Sequence, residues 1–315
     1  MKYRSLGNTG LNVSILGFGG SSLGSVFHEI DEAEGLRCVH TAIEHGINLI
    51  DTAPYYGSTQ AETVLGKALR EIPRERYLLA TKVGRYGPEP RDCDYSASRV
   101  MRSVDESLTR LGVDHVDFIQ AHDIEFGDIQ QMICETLPAL RRVQAAGKAR
   151  FVGITGLPLH LFPLVMDQAE VDQIQSYCHY CLNDTALTGL LPYLLDKNVA
   201  IFNSAPLAMR LLSASGPPAW HPAPTALRAA CAQAAQLCAA RGGDLSRLAL
   251  QFAVSNEAIP TTIVGTASPA RILQNIRDID APIDQELLDA VLALLQPQHN
   301  TTWPQGRREN QPACP

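Results

Sequence analysis

Short apolar segments alternate with amphipathic helical patterns along most of the chain. In residues 31–46, DEAEGLRCVHTAIEHG, apolar residues recur every three or four positions, acidic residues occupy the first turn and Gly46 marks the end. The apolar segment INLIDTA follows and predicts a strand at 47–53. A helical pattern followed by a short apolar segment is thus the first unit of the chain.

The same alternation continues toward the C-terminus. It predicts helices at 61–72, 96–112, 128–147, 158–168, 185–198 and over one long region from Thr225 to about Val254. It predicts strands at 77–83, 116–122, 150–156, 172–177, 199–205 and 261–267. With the glycine-rich segment SILGFG at 14–19 as a first strand there are eight strand-helix repeats, and without it there are seven. Such alternation is typical of a parallel sheet covered by helices.

Two architectures fit this pattern, an open doubly wound sheet and a closed (β/α)8 barrel. An open sheet that binds a dinucleotide carries GxGxxG at its first turn, and the glycines of GFGGSSLG at 17–24 have a different spacing. The number of repeats favours the barrel, and 315 residues suit one barrel domain over 1–315 with a C-terminal tail at 296–315. Active sites of such barrels lie at the C-terminal ends of the strands.

Composition and charge narrow the possible partners. The chain has 26 Lys and Arg against 33 Asp and Glu, a formal net charge of −7, without a basic cluster that would bind nucleic acid. The opening segment lacks the apolar stretch of a secretory signal, and no segment approaches the roughly 20 apolar residues of a membrane span. We therefore expect a cytoplasmic protein without nucleic acid or membrane partners, and we expect its eight cysteines to be reduced thiols.

The segment SYCHYC raises the question of a metal site. Cys178, His179 and Cys181 are metal-ligand types at CxxC spacing. A structural zinc site needs four ligands, and Cys231 and Cys238 are seven positions apart within a helical pattern. The sequence therefore predicts no metal.

Chemically active side chains follow three consecutive predicted strands. Asp51 and Tyr56 lie at and after the end of the first, Lys82 lies near the end of the second and His122 ends the third. Each alone has a structural explanation, such as a turn cap or a rim side chain. Together they would form a site for proton transfer, because a phenol near an ammonium and an imidazole becomes a usable general acid or base.

The electrostatics of this cluster also lead to an expectation. An adjacent ammonium favours the phenolate, so Lys82 should lower the pKa of Tyr56, while Asp51 should keep Lys82 charged. GxSxG, HExxH and P-loop motifs are absent from the sequence, which excludes the chemistry that they carry. Proton transfer coupled to a cofactor remains.

Eight further segments are distinctive when taken together: DTAPYYGST, ATKVGRY, HDIEFG, GITGLPL, SYCHYCLND, SAPLAM, GPPAWHPA and TWPQG. With them the chain resembles the aldo-keto reductase superfamily over almost its whole length, and closely resembles the L-galactose dehydrogenase branch. The resemblance implies that Asp51, Tyr56, Lys82 and His122 match the catalytic tetrad of that family. Tyr56 would then donate or accept the proton, and Tyr55 would be a neighbour.

The resemblance also implies a bound nicotinamide dinucleotide. Thr155 and Gln175 match residues that hold the carboxamide, and Ser204 occupies the position of a tyrosine that usually stacks on the nicotinamide. Arg271 and Asn275 match residues at the adenosine end. Enzymes selective for the 2′-phosphate usually carry a basic residue where this chain has Gly265. The branch resemblance favours NAD, and NADP remains possible because Arg271 would either pair with that phosphate or stack on adenine.

The implied reaction is oxidation of the anomeric carbon of an aldose to the lactone. The substrate would be similar to L-galactose, with L-fucose or D-arabinose as related candidates. His179, Asn183 and Trp303 are the candidate sugar contacts, and Trp303 would otherwise anchor the tail. A broad-specificity aldehyde and ketone reductase and a slow-turnover cofactor-binding regulatory subunit are the alternatives. We expect a monomer or a weak homo-oligomer.

Overall fold

The computed structural model describes residues 1–26 and 29–311. Its strands are β1 (Tyr3–Ser5), β2 (Asn12–Ser14), β3 (Leu16–Gly19), β4 (Leu49–Asp51), β5 (Leu78–Val83), β6 (Val116–Ala121), β7 (Ala149–Gly156), β8 (Gln173–Tyr177), β9 (Ala200–Ser204) and β10 (Thr261–Gly265). Strands β3 to β10 pair in parallel in chain order, and β10 pairs with β3 to close the barrel. The predicted (β/α)8 barrel is confirmed, and the segment at 14–19 supplies its first strand.

Helices connect successive strands of the barrel. They are α1 (Glu32–Glu44), α2 (Gln60–Leu69), α3 (Ala97–Leu111), α4 (Ile129–Gln131), α5 (Leu137–Ala145), α6 (Leu161–Met166), α7 (Leu187–Asp196), α8 (Thr225–Ala240), α9 (Leu245–Ser255), α10 (Pro269–Asp280) and α11 (Gln285–Leu295). A π-helical turn at Met132–Thr136 joins α4 to α5, so the helix predicted at 128–147 forms with a wider turn inside it. Helix α1 begins where Asp31 accepts a hydrogen bond from the Glu34 backbone, as its acidic first turn indicates.

The long helical region predicted from Thr225 to about Val254 is helical, but it consists of two helices. The structure divides it into α8 and α9 at residues 241–244. Gly242 has a φ of 71°, a left-handed conformation that glycine adopts without steric cost. Asp244 then accepts hydrogen bonds from the backbone N–H groups of Ser246 and Arg247 at 2.6 and 3.3 Å and so begins α9.

An apolar cluster fills part of the inside of the barrel. Inside it, Phe118 packs against Phe151 and Phe202, with ring centroids 5.2 and 5.1 Å apart. The hairpin of β1 and β2 adds the buried side chains of Leu6 and Val13 to this inner cluster. Because the inner cluster fills the half of the barrel near the N-terminal ends of the strands, space for a ligand remains at their C-terminal ends.

Residues that follow α11 pack against the C-terminal end of the barrel. The Asn310 side-chain amide donates to the backbone oxygens of Glu125 and Gly127 at 2.9 and 2.8 Å, and the Arg307 N–H donates to the Glu125 oxygen at 2.8 Å. Both acceptors lie in the loop that follows β6. The described part of the predicted tail is thus held beside the mouth of the barrel.

Helices long and apolar enough to span a membrane are absent from residues 1–26 and 29–311. The seven cysteines in these ranges are free thiols, and Cys314 lies outside the described residues. Cys178 and Cys181 are buried, and the Cys181 thiol contacts the Cys178 carbonyl oxygen at 3.4 Å.

Candidate active site

A cavity of about 1090 Å³ opens at the C-terminal ends of the strands. Of the residues that the sequence assigned to the site, those lining this cavity are Asp51, Tyr56, Lys82, His122, Thr155, Gln175, Ser204 and Arg271. Asn275 lies in α10 and is buried without lining the cavity. The barrel therefore brings the proposed tetrad and most of the proposed cofactor contacts to one place.

The centre of the cavity floor is a buried ion pair. The Lys82 ammonium donates to both carboxylate oxygens of Asp51 at 2.7 Å and to the Thr52 backbone oxygen at 2.8 Å. It also lies 3.4 Å from the Tyr56 hydroxyl. Lys82 and Asp51 are the penultimate residue of β5 and the last residue of β4, so strand pairing fixes their separation. The ammonium links the carboxylate to the phenol.

Amides on neighbouring strands hold the Asp51 carboxylate in place. The Gln120 side chain, opposite Lys82 in the pairing of β5 with β6, donates to one oxygen at 3.1 Å. Gln175 donates to the other at 3.3 Å. Gln120 was not predicted from the sequence as a site residue. The signal was a glutamine within the buried strand VDFIQA, because a buried amide needs a hydrogen-bond partner.

The pKa of Tyr56 lies well above its usual value, and burial is the main cause. The negative charges of Asp51 and Asp123 raise it further, while Arg85 lowers it. The expectation that Lys82 depresses the pKa of Tyr56 is therefore not met in this structure. Asp51 is bound to the same ammonium at shorter distance, so the phenol faces an ion pair rather than a free cation. Tyr56 is protonated at neutral pH.

His122 lies beside both adjacent tyrosines. Its ring makes edge-to-face contacts with Tyr55 and Tyr56, each with centroids 5.7 Å apart. Burial lowers the pKa of His122 to about 3, with a smaller lowering effect from the Lys82 charge. The imidazole is thus neutral at physiological pH. The Tyr95 hydroxyl donates to the His122 backbone oxygen at 2.6 Å and so fixes the strand end.

A close packing of two glycines shapes the loop that carries Tyr56. Gly57 has a φ of 62°, and a Cβ at this position would lie 2.1 Å from the Gly24 oxygen. Gly24 ends a 3-10 helix at Gly20–Gly24, and a Cβ there would meet the Tyr56 oxygen at 2.5 Å. Both glycines are needed for the loop after β4 to pack against this turn.

A second charged group lies beside the tetrad. Arg85 donates to the Asp123 carboxylate at 2.5 Å, and the Thr155 hydroxyl donates to the other Asp123 oxygen at 3.2 Å. Arg85 and Asp123 both line the cavity. Neither residue was predicted from the sequence, although Arg85 lies two positions after the strand that carries Lys82 and Asp123 directly follows His122.

Glu125 supports the next part of the wall. Its carboxyl oxygen accepts hydrogen bonds from the Leu157 N–H and the Tyr177 hydroxyl, both at 3.2 Å. Gln305, from the C-terminal segment, contacts the same Tyr177 hydroxyl. Tyr177 and Gln305 line the cavity, whereas Glu125 is fully buried behind them. Burial raises the pKa of Glu125 to about 8, with a further contribution from Asp123.

The predicted sugar contacts His179, Asn183 and Trp303 lie outside the lining of the cavity. His179 is buried and bonds to the Asp184 carboxylate at 3.1 Å, and Asn183 accepts from the Cys181 thiol at 3.3 Å. Trp303 is buried in an apolar cluster with α8, α9 and α11. The structure thus gives packing and loop-closing contacts to these three residues, and Trp303 anchors the C-terminal segment.

The polar groups at the strand ends fit a nicotinamide dinucleotide. The Gln175 Oε1 atom is buried and has no hydrogen-bond partner among the described residues, so it is free to accept from a carboxamide. Between β3 and β10 the wall consists of small residues, where a Cβ on Gly265 would approach the Ser21 hydroxyl to 3.1 Å. The cavity is larger than the usual sites for one small molecule, which hold roughly 300–1,000 Å³.

Comparisons with known proteins agree with this geometry. The model of the aldo/keto reductase family matches residues 15–296. The chain is 46% identical to the L-galactose dehydrogenase of Arabidopsis thaliana over 98% of this chain and 99% of that protein. It is 33% identical to the D-arabinose 1-dehydrogenase of Saccharomyces cerevisiae over 78% of this chain and 76% of that protein.

A solved structure of an aldo-keto reductase has a similar fold. The holo form of an aldo-keto reductase from Bacillus halodurans superposes with a TM-score of 0.79 at 28% identity. The match covers 98% of this chain and 100% of that one. The resemblance inferred from the sequence is confirmed, and this chain belongs to the aldo/keto reductase family.

Proposed function

We propose that this protein is an aldose 1-dehydrogenase that oxidises the anomeric carbon of a cyclic aldose to the lactone with NAD. The observation that carries the proposal is the Lys82 ammonium, which joins Asp51 to the Tyr56 hydroxyl on the cavity floor. The high identity to an L-galactose dehydrogenase supports an L-galactose-like substrate. L-Fucose and D-arabinose, which share part of its configuration, are the next candidates.

Each residue of the tetrad has a distinct role in this proposal. In the oxidation direction, the phenolate form of Tyr56 takes the proton of the anomeric hydroxyl, so oxidation requires Tyr56 to have lost its own proton first; in reduction the phenol form gives a proton to the carbonyl oxygen. Lys82 donates a hydrogen bond to the phenol oxygen, and Asp51 holds Lys82 in position. Neutral His122 orients the substrate oxygen without adding charge. When bound, the nicotinamide supplies the acceptor for the hydride that leaves C1.

Charges at the adenosine end support the preference for NAD. Glu29, Asp31 and Glu34 line the cavity near α1, which packs against α10, the helix that carries Arg271. Carboxylates repel a 2′-phosphate, whereas they accept hydrogen bonds from ribose hydroxyls. Gly265 adds no charge, and Arg271 is exposed. We infer that the acidic side outweighs the single guanidinium of Arg271.

A substrate panel tests the proposed function. The purified protein is assayed at 340 nm for oxidation of L-galactose, L-fucose and D-arabinose with NAD and with NADP, and for reduction of small aromatic aldehydes with NADH and with NADPH. We expect L-galactose with NAD to give the highest kcat/KM, and lactone to be recovered as product. Preference for aromatic aldehydes would indicate a broad-specificity reductase. Tight NADH binding without sugar turnover would indicate a cofactor-binding regulatory subunit.

We also propose that the enzyme works in the cytoplasm, as a monomer or a weak homo-oligomer. The seven described cysteines are free thiols, and burial raises the pKa of Cys38 and Cys231 to about 12. Unpaired thiols are typical of reducing compartments. Sedimentation velocity over a range of protein concentrations tests the oligomeric state.

A further inference from the structure

Arg85 is a cation of the cavity wall that the proposed proton transfer does not use. Its guanidinium lies 4.2 Å from the ring centroid of Tyr55 and 4.1 Å from that of Phe126. Asp123 accepts from it at 2.5 Å, and the Tyr55 hydroxyl lies 3.4 Å away. Two aromatic contacts and an ion pair therefore fix this side chain, which is 11% exposed.

The guanidinium is close to the reacting centre. Asp123, its partner, lies 3.8 Å from the Nε2 atom of His122, and the ring of Tyr55 contacts the His122 ring. In the proposed reaction the anomeric oxygen lies between Tyr56 and His122. If the ring carbons that follow C1 extend toward Tyr55, they come within reach of Arg85.

Arg85 also retains donors that have no partner among residues 1–26 and 29–311. A guanidinium has five N–H groups and stays charged at every physiological pH. The structure assigns two hydrogen bonds to it, one with Asp123 and one with Tyr55. Because the side chain is already ordered, further hydrogen bonds to a ligand cost little conformational entropy.

We propose that Arg85 recognises the sugar by donating a hydrogen bond to the hydroxyl on C2 or C3, and so selects polyhydroxylated aldoses over apolar aldehydes. The proposal rests on the proposed function and extends it to a specificity-determining residue. Asp123 holds Arg85 in the orientation needed. Tyr55 contributes the stacking surface, which explains why two adjacent tyrosines differ in role.

The test is a cycle that combines an enzyme variant with a substrate variant. Arg85→Gln and wild-type protein are each assayed with L-galactose and with its 2-deoxy and 3-deoxy analogues. For wild type, loss of the recognised hydroxyl should lower kcat/KM about 10-fold to 100-fold, the range of a hydrogen bond to a charged group. In Arg85→Gln this penalty should fall to less than about 3-fold, with KM for L-galactose raised and kcat nearly unchanged.

Arg99→Gln is the matched control. Arg99 is also stacked on a tyrosine ring, at 3.7 Å from that of Tyr86, and paired with Glu106 at 3.2 Å, but it does not line the cavity. This variant should keep the wild-type penalties for both deoxy sugars. NADH affinity, measured by fluorescence, should be unchanged in both variants.

The outcomes separate this inference from the proposed function. If wild type does not oxidise L-galactose, the proposed function fails, and the inference that rests on it fails too. If wild type does, and Arg85→Gln shows the same deoxy-sugar penalties as wild type, the inference alone is overturned. Should Arg85→Gln fold poorly, Arg85→Lys replaces it: this variant keeps the charge but loses the planar donor, and the same reduced penalty is expected.

Discussion

The two adjacent phenols of the sequence contact different cations. The Tyr56 hydroxyl lies 3.4 Å from Lys82, which is bound to Asp51. The Tyr55 hydroxyl lies 3.4 Å from Arg85, which is bound to Asp123. Neither phenol faces an uncompensated charge, because each cation has its own carboxylate. Their chemical difference comes from position, since Lys82 belongs to the cavity floor and Arg85 to its wall.

The first prediction separates these phenols. Tyr56→Phe should lower turnover by at least about 100-fold, as expected for loss of a general acid or base, while NADH affinity stays nearly unchanged. Tyr55→Phe should chiefly raise KM, because it loses one contact to Arg85 and keeps the aromatic ring. Steady-state kinetics with fluorescence titration of NADH measure both effects. A larger loss of kcat in Tyr55→Phe would reverse the assignment.

The second prediction concerns the ion pair of Lys82 and Asp51 on the cavity floor. Asp51 raises the pKa of Tyr56, so Asp51→Asn should remove a negative charge and shift the alkaline rise of sugar oxidation to lower pH. Lys82→Met leaves Asp51 uncompensated and should shift the rise to higher pH. The rise belongs to the coupled group rather than to Tyr56 alone.

Profiles of kcat against pH between 6 and 11, recorded for both variants, measure these shifts. Both should turn over more slowly than wild type, because Asp51 holds Lys82 and Lys82 donates to the Tyr56 hydroxyl. Shifts of the two variants in the same direction would contradict the electrostatic argument and leave Asp51 with a purely steric role. Arg99→Gln, at a residue that does not line the cavity, should retain the wild-type profile.

Much of the site could be predicted because its chemistry lies at strand ends. In a barrel, the residues at 51, 82 and 122 must meet once their strands are assigned. The pKa of Tyr56 could not be predicted, because it depends chiefly on how deeply the folded barrel buries the phenol and then on the nearby charge of Asp51. Arg85 and Asp123 were missed because they lie in loops, where no repeat pattern indicates which side chains turn toward the cavity.

At the scale of single elements, the loop after β4 depends on a backbone contact. Gly57→Ala would place a Cβ 2.1 Å from the Gly24 oxygen, so the loop must move and carry Tyr56 with it. We expect a loss of kcat of at least about 10-fold, because small displacements of a catalytic group are costly. Gly10→Ala is the control, since its φ of 70° is similar and nothing lies within 4 Å of the added Cβ.

Both glycine variants should lose roughly 1 kcal/mol of stability from the left-handed conformation alone. Thermal unfolding of the two proteins measures this shared part. The kinetic defect should be confined to Gly57→Ala. Full activity in Gly57→Ala would show that the position of Tyr56 tolerates movement of the loop.

Element boundaries show what periodicity can and cannot predict. The eight strands were found because each buried strand is a short apolar segment between polar turns. The break between α8 and α9 was missed because both helices are rich in alanine and leucine, so the same helical pattern resumes directly after the four residues RGGD at 241–244. The local signal was the pair Gly242 and Gly243 followed by Asp244, a helix stop and an N-cap.

At the scale of the whole molecule, the C-terminal segment and the barrel meet at Glu125. Its backbone oxygen accepts from Arg307 and Asn310, and its carboxyl group bonds to Tyr177 in the cavity wall. Residues 180 positions or more apart in the chain are thus joined at one buried acid. Such contacts arise only when the barrel closes, so no local pattern in the sequence predicts them.

The last prediction follows from the ionisation of this acid. The pKa of Glu125 is about 8 in the folded protein and near its ordinary value of 4.5 in the unfolded chain. Between these values the folded state binds more protons, so stability is full below about pH 4.5 and declines as pH rises toward 8. His122 acts in the opposite direction, but below pH 6.5, because its pKa of about 3 lies under its ordinary value. Between pH 6.5 and 8 the contribution of His122 to stability no longer changes, so the change in stability over this interval reports on Glu125.

Urea unfolding of wild type and Glu125→Gln at pH 6.5 and 8 isolates this contribution. Glutamine keeps an oxygen for the Leu157 N–H but cannot ionise, so the variant should lose less stability than wild type over this interval. The difference between the two proteins in the stability lost should approach about 1.4 kcal/mol per pH unit, which is the linkage of one proton.

Hydrogen exchange at the Arg307 N–H is a second measurement. It should accelerate with pH in wild type beyond its intrinsic rate, because ionised Glu125 loosens the segment bonded to its backbone. Equal pH dependence in the two proteins would mean that Glu125 is already ionised at pH 6.5, so that its protonation does not contribute to holding the C-terminal segment.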